Sequence, residues 1–194
     1  MGVQSPLNNV AEILNQAKNS ATRYGAMLSA NEAATRAALI DPILRTLGWD
    51  TANTDMVQVE KYSNATRDRA DYALYDNNGA IRVIVEAKSL GTNLDDPRIE
   101  QTLLAYTRAF QPKDMFLTDG LVWKHFTAFQ APDFAPSRKF DLSGDDLTDC
   151  AAYLVQWLDA AKHWPEKQTV DTLAQQVIQL QSDLASLQQQ VRFL

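Results

Sequence analysis

Glu86 and Lys88 close the run Val83-Ile84-Val85-Glu86-Ala87-Lys88, which sets a carboxylate and an amine two residues apart at the end of a β-branched stretch. Side chains two apart on a strand share a face, so both project to one side of whatever sheet contains them. Asp71 lies in a second strand-like run, Ala70-Asp71-Tyr72-Ala73-Leu74, and Asp76-Asn77-Asn78-Gly79 joins the two. Asn78-Gly79 carries the signal of a two-residue type I′ hairpin turn. With that turn Asn77 pairs with Ala80, and the register carried along both strands sets Asp71 directly opposite Glu86. A turn at Asn77-Asn78 keeps Asp71 on the Glu86 face, whereas a three-residue loop sends it to the other. Cross-strand Cβ atoms stand ~4.5–5.5 Å apart, and like charges there destabilise the pair. Two carboxylates and a lysine on one face call for a compensating cation, and a hard divalent metal held by carboxylate oxygens suits them.

The elements that must position these groups are legible by periodicity. Leu7 to about Tyr24 has helical spacing of Val10, Ile13, Leu14 and Ala17, closing near Gly25. Ser29-Ala30-Asn31-Glu32 matches a capping box with Ser29 as N-cap and Glu32 reaching back to it. The helix that follows is interrupted or kinked by Pro42 and stops at Gly48-Trp49. Strands are predicted at Met56–Tyr62, in the two runs above, at Asp114–Thr118 and at Leu121–Phe126, the last two joined by an Asp119-Gly120 hairpin turn. Between the third and fourth strands, Arg98 to Phe110 is a helix with Ile99, Leu103, Tyr106 and Phe110 on one stripe and Gln101, Ala105 and Arg108 on a neighbouring one. Pro132 to Ser137 is a loop, and Asp145 to about Lys162 a last helix of the domain. The order α-α-β-β-β-α-β-β predicts an α/β or α+β fold with a five-stranded mixed sheet flanked by helices and one parallel crossover.

Beyond Trp164-Pro165 the composition shifts to Gln, Leu and Ala. Val170, Leu173, Val177, Leu180, Leu184, Leu187, Val191 and Leu194 alternate spacings of three and four, the seam of a coiled coil. Val predominates at a and Leu fills every d, which favours a parallel dimer, while the mostly Gln e and g positions leave higher oligomers and antiparallel pairing open. The expected organisation is a domain over residues 1–164 and an oligomerisation helix over 165–194, with a homo-oligomer formed through residues 167–194 and a dimer favoured.

Bulk properties narrow the function classes. The 194 residues are 45% apolar and 22% charged, ordinary globular usage. The net charge of −6 is spread along the chain, which argues against a strongly electrostatic nucleic-acid binder but not against a nuclease with a local basic rim. One cysteine, Cys150, excludes an intrachain disulfide, and with two histidines it is too little for a zinc site. There is no Walker-type loop and hence no ATP-driven motor in this chain. No signal peptide precedes the first helix, Pro6 stands where a myristoylation signal needs Ser or Thr, and no apolar run approaches the ~18 residues of a membrane span. A soluble, cytoplasmic protein without a membrane partner is expected.

Asp71, then Glu86-x-Lys88 at a strand end, with Glu32 on a preceding helix and Gln101 on a following one, resembles the PD-(D/E)xK nuclease superfamily. More narrowly, Asn31-Glu32-Ala33-Ala34-Thr35-Arg36, then Asp41-Pro42-Ile43-Leu44 and Leu47-Gly48-Trp49-Asp50, resembles the N-terminal nuclease domain of type I restriction enzyme R subunits and stand-alone relatives. The likeness covers roughly residues 31–126. It implies a restriction-endonuclease-like sheet carrying the site, a Mg²⁺ cofactor with Mn²⁺ as a substitute, and hydrolysis of DNA phosphodiesters. By the same resemblance Asp71 and Glu86 hold the metal, Glu32 contacts the metal or its water, Lys88 orients the attacking water and stabilises phosphate charge, and Gln101 helps to set phosphate or water. A motor or specificity subunit on another chain is compatible with it. Two departures stand out: Arg69-Ala70-Asp71 lacks the Pro of the superfamily name, and the tyrosine expected four residues after the glutamine is Tyr106, with Ala105 in its place.

Plainer readings compete. The capping box accounts for Glu32, a strand Asp is commonly a surface charge, Lys88 with Glu86 is also a surface ion pair of little worth, and a helical Gln is usually solvated. Lys61, Arg67, Arg69 and Arg108 are candidate phosphate contacts, while Trp49, Trp123 and Cys150 read as core and His125 and His163 have no assigned role. The leading reading is a Mg²⁺-dependent DNA endonuclease, and the alternative is a catalytically silent nucleic-acid-binding or assembly module with the same fold.

Overall fold

A computed structural model describes residues 6–64, 69–127 and 134–163; the heptad segment and Arg67 lie outside them. The β-branched run of Val83 to Val85 forms a strand because both of its faces are buried. β1 (Val57–Tyr62), β2 (Arg69–Tyr75), β3 (Ile81–Ala87), β4 (Asp114–Thr118), β5 (Val122–Phe126) and β6 (Arg138–Asp141) make one sheet in sequence order. All neighbours are antiparallel except β3 and β4, which run parallel. Val83, Val85 and Ala87 turn into the larger core with Tyr72, Leu74 and Phe116. Ile84 turns into a second core with Ala73, Met115 and Leu117. The larger core takes its other half from α1 (Pro6–Ser29), the α2 to α3 segment (Glu32–Thr46) and α5 (Leu147–Leu158). Leu103 and Tyr106 of α4 (Pro97–Phe110) fill the second core. The crossover through α4 is what makes the one parallel pair.

The sixth strand departs from the expected five. β6 spans four residues at the sheet edge, and only Phe140 among them is buried. A strand with one inward side chain carries no readable period. The last predicted helix is also two: Asp146 caps α5 by accepting from the Thr148 and Asp149 amides, and Asp159 separates it from α6 (Ala160–His163).

The β2–β3 hairpin reaches the expected register by an unexpected route. Among its non-glycine turn residues none has positive φ, and only Gly79 does (+78°). Asp76 N–H donates to Ala80 O (2.9 Å) and Gly79 N–H to Asp76 O (3.0 Å), so the loop has three residues, Asn77 to Gly79, and is not the type I′ turn. Such a loop alone would put Asp71 on the wrong face. Arg82, however, is an extra residue opposite the Leu74–Tyr75 step: Tyr75 faces Ile81, while Leu74 faces Val83. This bulge cancels the offset. From there Ala73 faces Ile84 and Tyr72 faces Val85, and one step further Asp71 stands beside Glu86.

Asp76 organises that loop. Its Oδ1 accepts from the Asn78 (2.9 Å) and Ala80 (3.0 Å) amides, and its Oδ2 from Arg82 Nε (2.7 Å). Burial alone would raise its pKa, but those amides and the guanidinium outweigh it and hold the carboxyl below its ordinary value. A depressed folded-state pKa contributes stability that is present above the unfolded value and lost as pH falls through the folded one. Asp76→Ala is expected to lower stability by about 2 kcal/mol at neutral pH, read by urea denaturation, with the deficit shrinking in acid.

Two further local features bear on the site. The N-cap of α2 (Glu32–Thr35) is Asn31, whose side chain accepts from Ala34 N–H (3.0 Å), while Ser29 Oγ donates to Ala26 O. The capping box with Ser29 is thus not formed, and Glu32 is free of the back-bonding role. Next, Arg36–Ile40 is a π-helical turn in which Asp41 N–H reaches Arg36 O. Pro42 has no N–H and its ring crowds the carbonyl four residues back, and the widened turn lies directly before it. α3 (Asp41–Thr46) then ends on Gly48 at φ +89°, with Gly48 N–H to Arg45 O and Trp49 N–H to Leu44 O, the paired bonds of a Schellman cap. No helix among the described residues is long and apolar enough to cross a membrane.

Candidate active site

Asp71, Glu86 and Lys88 meet where β3 leaves the sheet. Glu86 pairs in register with Leu117 and Ala87 with Thr118, and Lys88 N–H donates to Thr118 O at 2.8 Å. The backbone under the site is therefore held by the parallel pair. Lys88 Nζ donates to Glu86 Oε1 (2.6 Å) and to the Ala87 carbonyl (2.7 Å), with Glu32 Oε2 at 4.0 Å. Both Asp71 oxygens are engaged: Oδ1 accepts from Arg36 Nη1 (2.6 Å) and Oδ2 from Ala87 N–H (2.8 Å).

Glu86 is 4% exposed, and its Oε2 is buried without a hydrogen-bond partner. Burial pushes its pKa up to about 7 against the opposing pull of Lys88, and Asp71 adds like-charge repulsion. Burial would lower the Lys88 pKa, but the facing Glu86 carboxylate outweighs it and raises the ammonium above its ordinary value. Glu32 is likewise raised, by burial first, with Lys88 opposing and Asp71 adding to it. Perturbed carboxylates beside an amine in a cleft are a frequent mark of a functional site.

The motif that precedes the sheet acquires a physical account. Asn31 caps α2. Glu32 faces Lys88. Thr35 is fully buried, donating from Oγ1 to Leu28 O (2.8 Å) and accepting from Leu90 N–H (3.3 Å), so it ties α1 to the loop after Lys88. Arg36 takes Asp71. Neither Thr35 nor Arg36 had a role by sequence reasoning, although both lie in a segment singled out there; their partners are 35 or more residues away in Asp71 and Leu90.

Gln101 is not brought into this group. It is exposed on α4, whereas the shallow cleft beside the site is lined by Glu86, Lys88, Thr92, Asp96, Arg98, Ile99 and Thr102. Tyr106, five residues on, is buried and donates its hydroxyl to Arg69 O at 2.6 Å, anchoring α4 to the start of β2. Five residues is ~140° on a helix, so an inward Tyr106 leaves Gln101 turned away. Of the candidate phosphate contacts, Arg69 pairs with Glu60 (3.3 Å) and Lys61 stands over the Tyr75 ring (6.0 Å).

The donor set fits a divalent cation that retains water. Among the described residues no group of three or more His, Cys, Asp and Glu side chains is placed to hold a metal ion. Mg²⁺ does not need such a group, since it is bound through one or two carboxylates and keeps several waters. Asp71, the unpartnered Glu86 Oε2 and the Ala87 carbonyl, which already accepts from an ammonium, are hard oxygen donors of that kind.

No protein-family model and no curated protein matches the chain. Among solved structures, the cryo-EM structure of a DrdV–DNA complex is similar at 19% identity with a TM-score of 0.50, over 79% of this chain and 99% of that one. The type IIG restriction endonuclease BpuSI is 14% identical over 65% of this chain, with a TM-score of 0.44, and the match spans 17% of its own length. The six-stranded mixed sheet flanked by helices is a restriction-endonuclease-like fold.

Proposed function

We propose that this chain is a Mg²⁺-dependent DNA endonuclease of the PD-(D/E)xK type, similar to the nuclease domain of type I restriction R subunits. The observation that carries this reading is the convergence of Asp71, Glu86 and Lys88 at the end of β3, with one Glu86 oxygen buried and unpartnered. Asp71 and Glu86, with the Ala87 carbonyl, would hold the metal, which when bound would supply Lewis-acid polarisation of the phosphate and a water nucleophile at neutral pH. Lys88 remains protonated beside Glu86 and acts as a donor, orienting the water or steadying charge on the phosphate oxygens. Glu32 faces Lys88 and would contact the water shell of the bound ion. Arg98, whose Nη2 donates to Asp96 Oδ2 at 2.6 Å, and Thr102 line the cleft and would be the residues to meet flanking phosphates there, Gln101 not lining it. A dimer through residues 167–194, which lie outside the described residues, would put two copies of the site in one assembly.

The test is plasmid DNA incubated with Mg²⁺ or Mn²⁺ beside Asp71→Ala. Cleavage is expected from the parent protein and loss of it from the variant. No cleavage with either metal, together with no metal binding by calorimetry, would leave the silent binding module in its place.

Metal affinity should depend on pH in a stated direction. Glu86 must be ionised to bind a cation, and its carboxyl titrates near 7. Binding of Mg²⁺ is therefore expected to strengthen as pH rises from about 6 to 8 and to release up to about one proton below neutrality. Calorimetry in buffers of different ionisation enthalpy measures that proton, and a pH-independent affinity would contradict the assignment.

A further inference from the structure

Arg36 is the residue of the site that neither the sequence motif nor the metal chemistry explains. Its side chain is 16% exposed, Nη1 lies 2.6 Å from Asp71 Oδ1, and Nη2 lies 3.6 Å from Glu60 Oε1. Its guanidinium carbon stands over the Tyr72 ring at 5.6 Å, and its Nε is buried without a hydrogen-bond partner. A guanidinium with a buried donor unused and one ion pair loose is held in a compromise between two carboxylates. Glu60, the second of them, is one of two non-glycine residues among those described that have positive φ (+53°). Such a backbone conformation inside a strand costs energy and persists only where surrounding contacts hold it. Glu60 itself is shared, since Arg69 Nη1 reaches its other oxygen at 3.3 Å. The result is an alternating chain of charges, Asp71, Arg36, Glu60 and Arg69, running from a buried carboxylate to an arginine 64% exposed at the surface.

Resting on the metal assignment above, we infer that Arg36 is a built-in competitor of the divalent ion for Asp71, and that Glu60 is the alternative seat that draws it off. Arg36 places a fixed positive charge on the same carboxylate that the metal must use. Its presence weakens cation binding through Coulomb repulsion, which at short range in partly buried surroundings is large. Glu60 offsets this by accepting the guanidinium as it leaves Asp71 Oδ1. Whatever takes Arg69 from Glu60, a phosphodiester above all, leaves Glu60 free to hold Arg36 more fully. Metal affinity is thereby linked to occupation of the Arg69 surface, and by reciprocity the metal strengthens that occupation.

The experiment is Mn²⁺ binding by calorimetry to the full chain and to three variants. Arg36→Met keeps the stem and removes the charge, and it should tighten Mn²⁺ binding by about tenfold. Arg36→Lys keeps the charge and should stay within about twofold of the parent. Glu60→Gln removes the alternative seat at a half-exposed position, and it should weaken binding by about threefold. If Arg36 merely orients Asp71, Arg36→Met weakens binding, and that result overturns the inference. The inference falls equally if Arg36→Met fails to fold and Glu60→Gln binds Mn²⁺ as the parent does. A parent protein that binds no Mn²⁺ at all overturns the metal assignment, and the inference with it.

Discussion

Replacing Lys88 by alanine is expected to slow single-turnover cleavage of a DNA duplex by roughly 10²–10⁴-fold at saturating metal. The size follows from how many jobs one ammonium does. It neutralises Glu86 Oε1, donates to the Ala87 carbonyl and faces Glu32, and under the proposed mechanism it is the donor that would meet developing charge on a phosphate oxygen. Its removal leaves Glu86 buried beside Asp71 with less compensating charge, so the Glu86 pKa climbs above its present value of about 7. At subsaturating metal the variant should therefore also show a pH–rate profile displaced to higher pH. Lys88→Arg keeps the charge but replaces a compact ammonium by a planar fork, and should recover part of the displacement and little of the rate. A Lys88→Ala protein that cleaves at the parent rate would remove Lys88 from the mechanism and return it to a surface ion pair.

The second large effect concerns stability and lies away from the chemistry. Trp49→Ala is expected to lower the unfolding free energy by about 3–5 kcal/mol in urea denaturation. Trp49 is fully buried in the larger core, its Nε1 donates to Leu158 O at 2.7 Å, and His163 stacks on it at 5.9 Å. The truncation therefore opens a cavity and strands a carbonyl at the end of α5. Trp49→Phe retains most of the volume and loses only the donor, for an expected cost of about 1–2 kcal/mol. The position matters to the site because the Schellman cap at Gly48 and Trp49 ends the segment whose other end carries Glu32 and Arg36. Equal costs for the two variants would show that the hydrogen bond, not the packing, dominates.

The plainer readings of the core residues hold. Trp49, Trp123 and Cys150 are buried, and burial pushes the Cys150 thiol up to about 11. His125 illustrates the opposite case. His125 is fully buried, with Nε2 3.0 Å from Asp114 Oδ1 and Nδ1 2.8 Å from the Tyr153 hydroxyl, and its ring stacked on Phe116 at 4.2 Å. Those partners belong to β4 and α5, 11 and 28 residues away. No spacing rule connects them.

For Asp71 the right register came from a wrong turn. A two-residue type I′ loop and a three-residue loop followed by a bulge give the same pairing at Asp71, because the Arg82 bulge adds back the one residue that the longer loop removes. Arg82 gave no sign of this in sequence, since its bulge is secured by the contact to Asp76 within the folded hairpin.

What the sequence by itself determined is local and periodic. Glu86 and Lys88 share a face by strand geometry, helices and strands follow the spacing of apolar residues, and Gly48 ends α3 because it adopts positive φ without strain. The tertiary structure alone decided which side chains complete the group at β3. Arg36 reaches Asp71, Thr35 ties the loop after Lys88, and Gln101 stays outside because Tyr106 is drawn into the second core. The physical reason is that periodicity reports only which face of an element is apolar. The partner of a polar side chain depends on the docking of elements distant in sequence, where hydrogen-bond geometry and desolvation choose among groups that look alike along the chain.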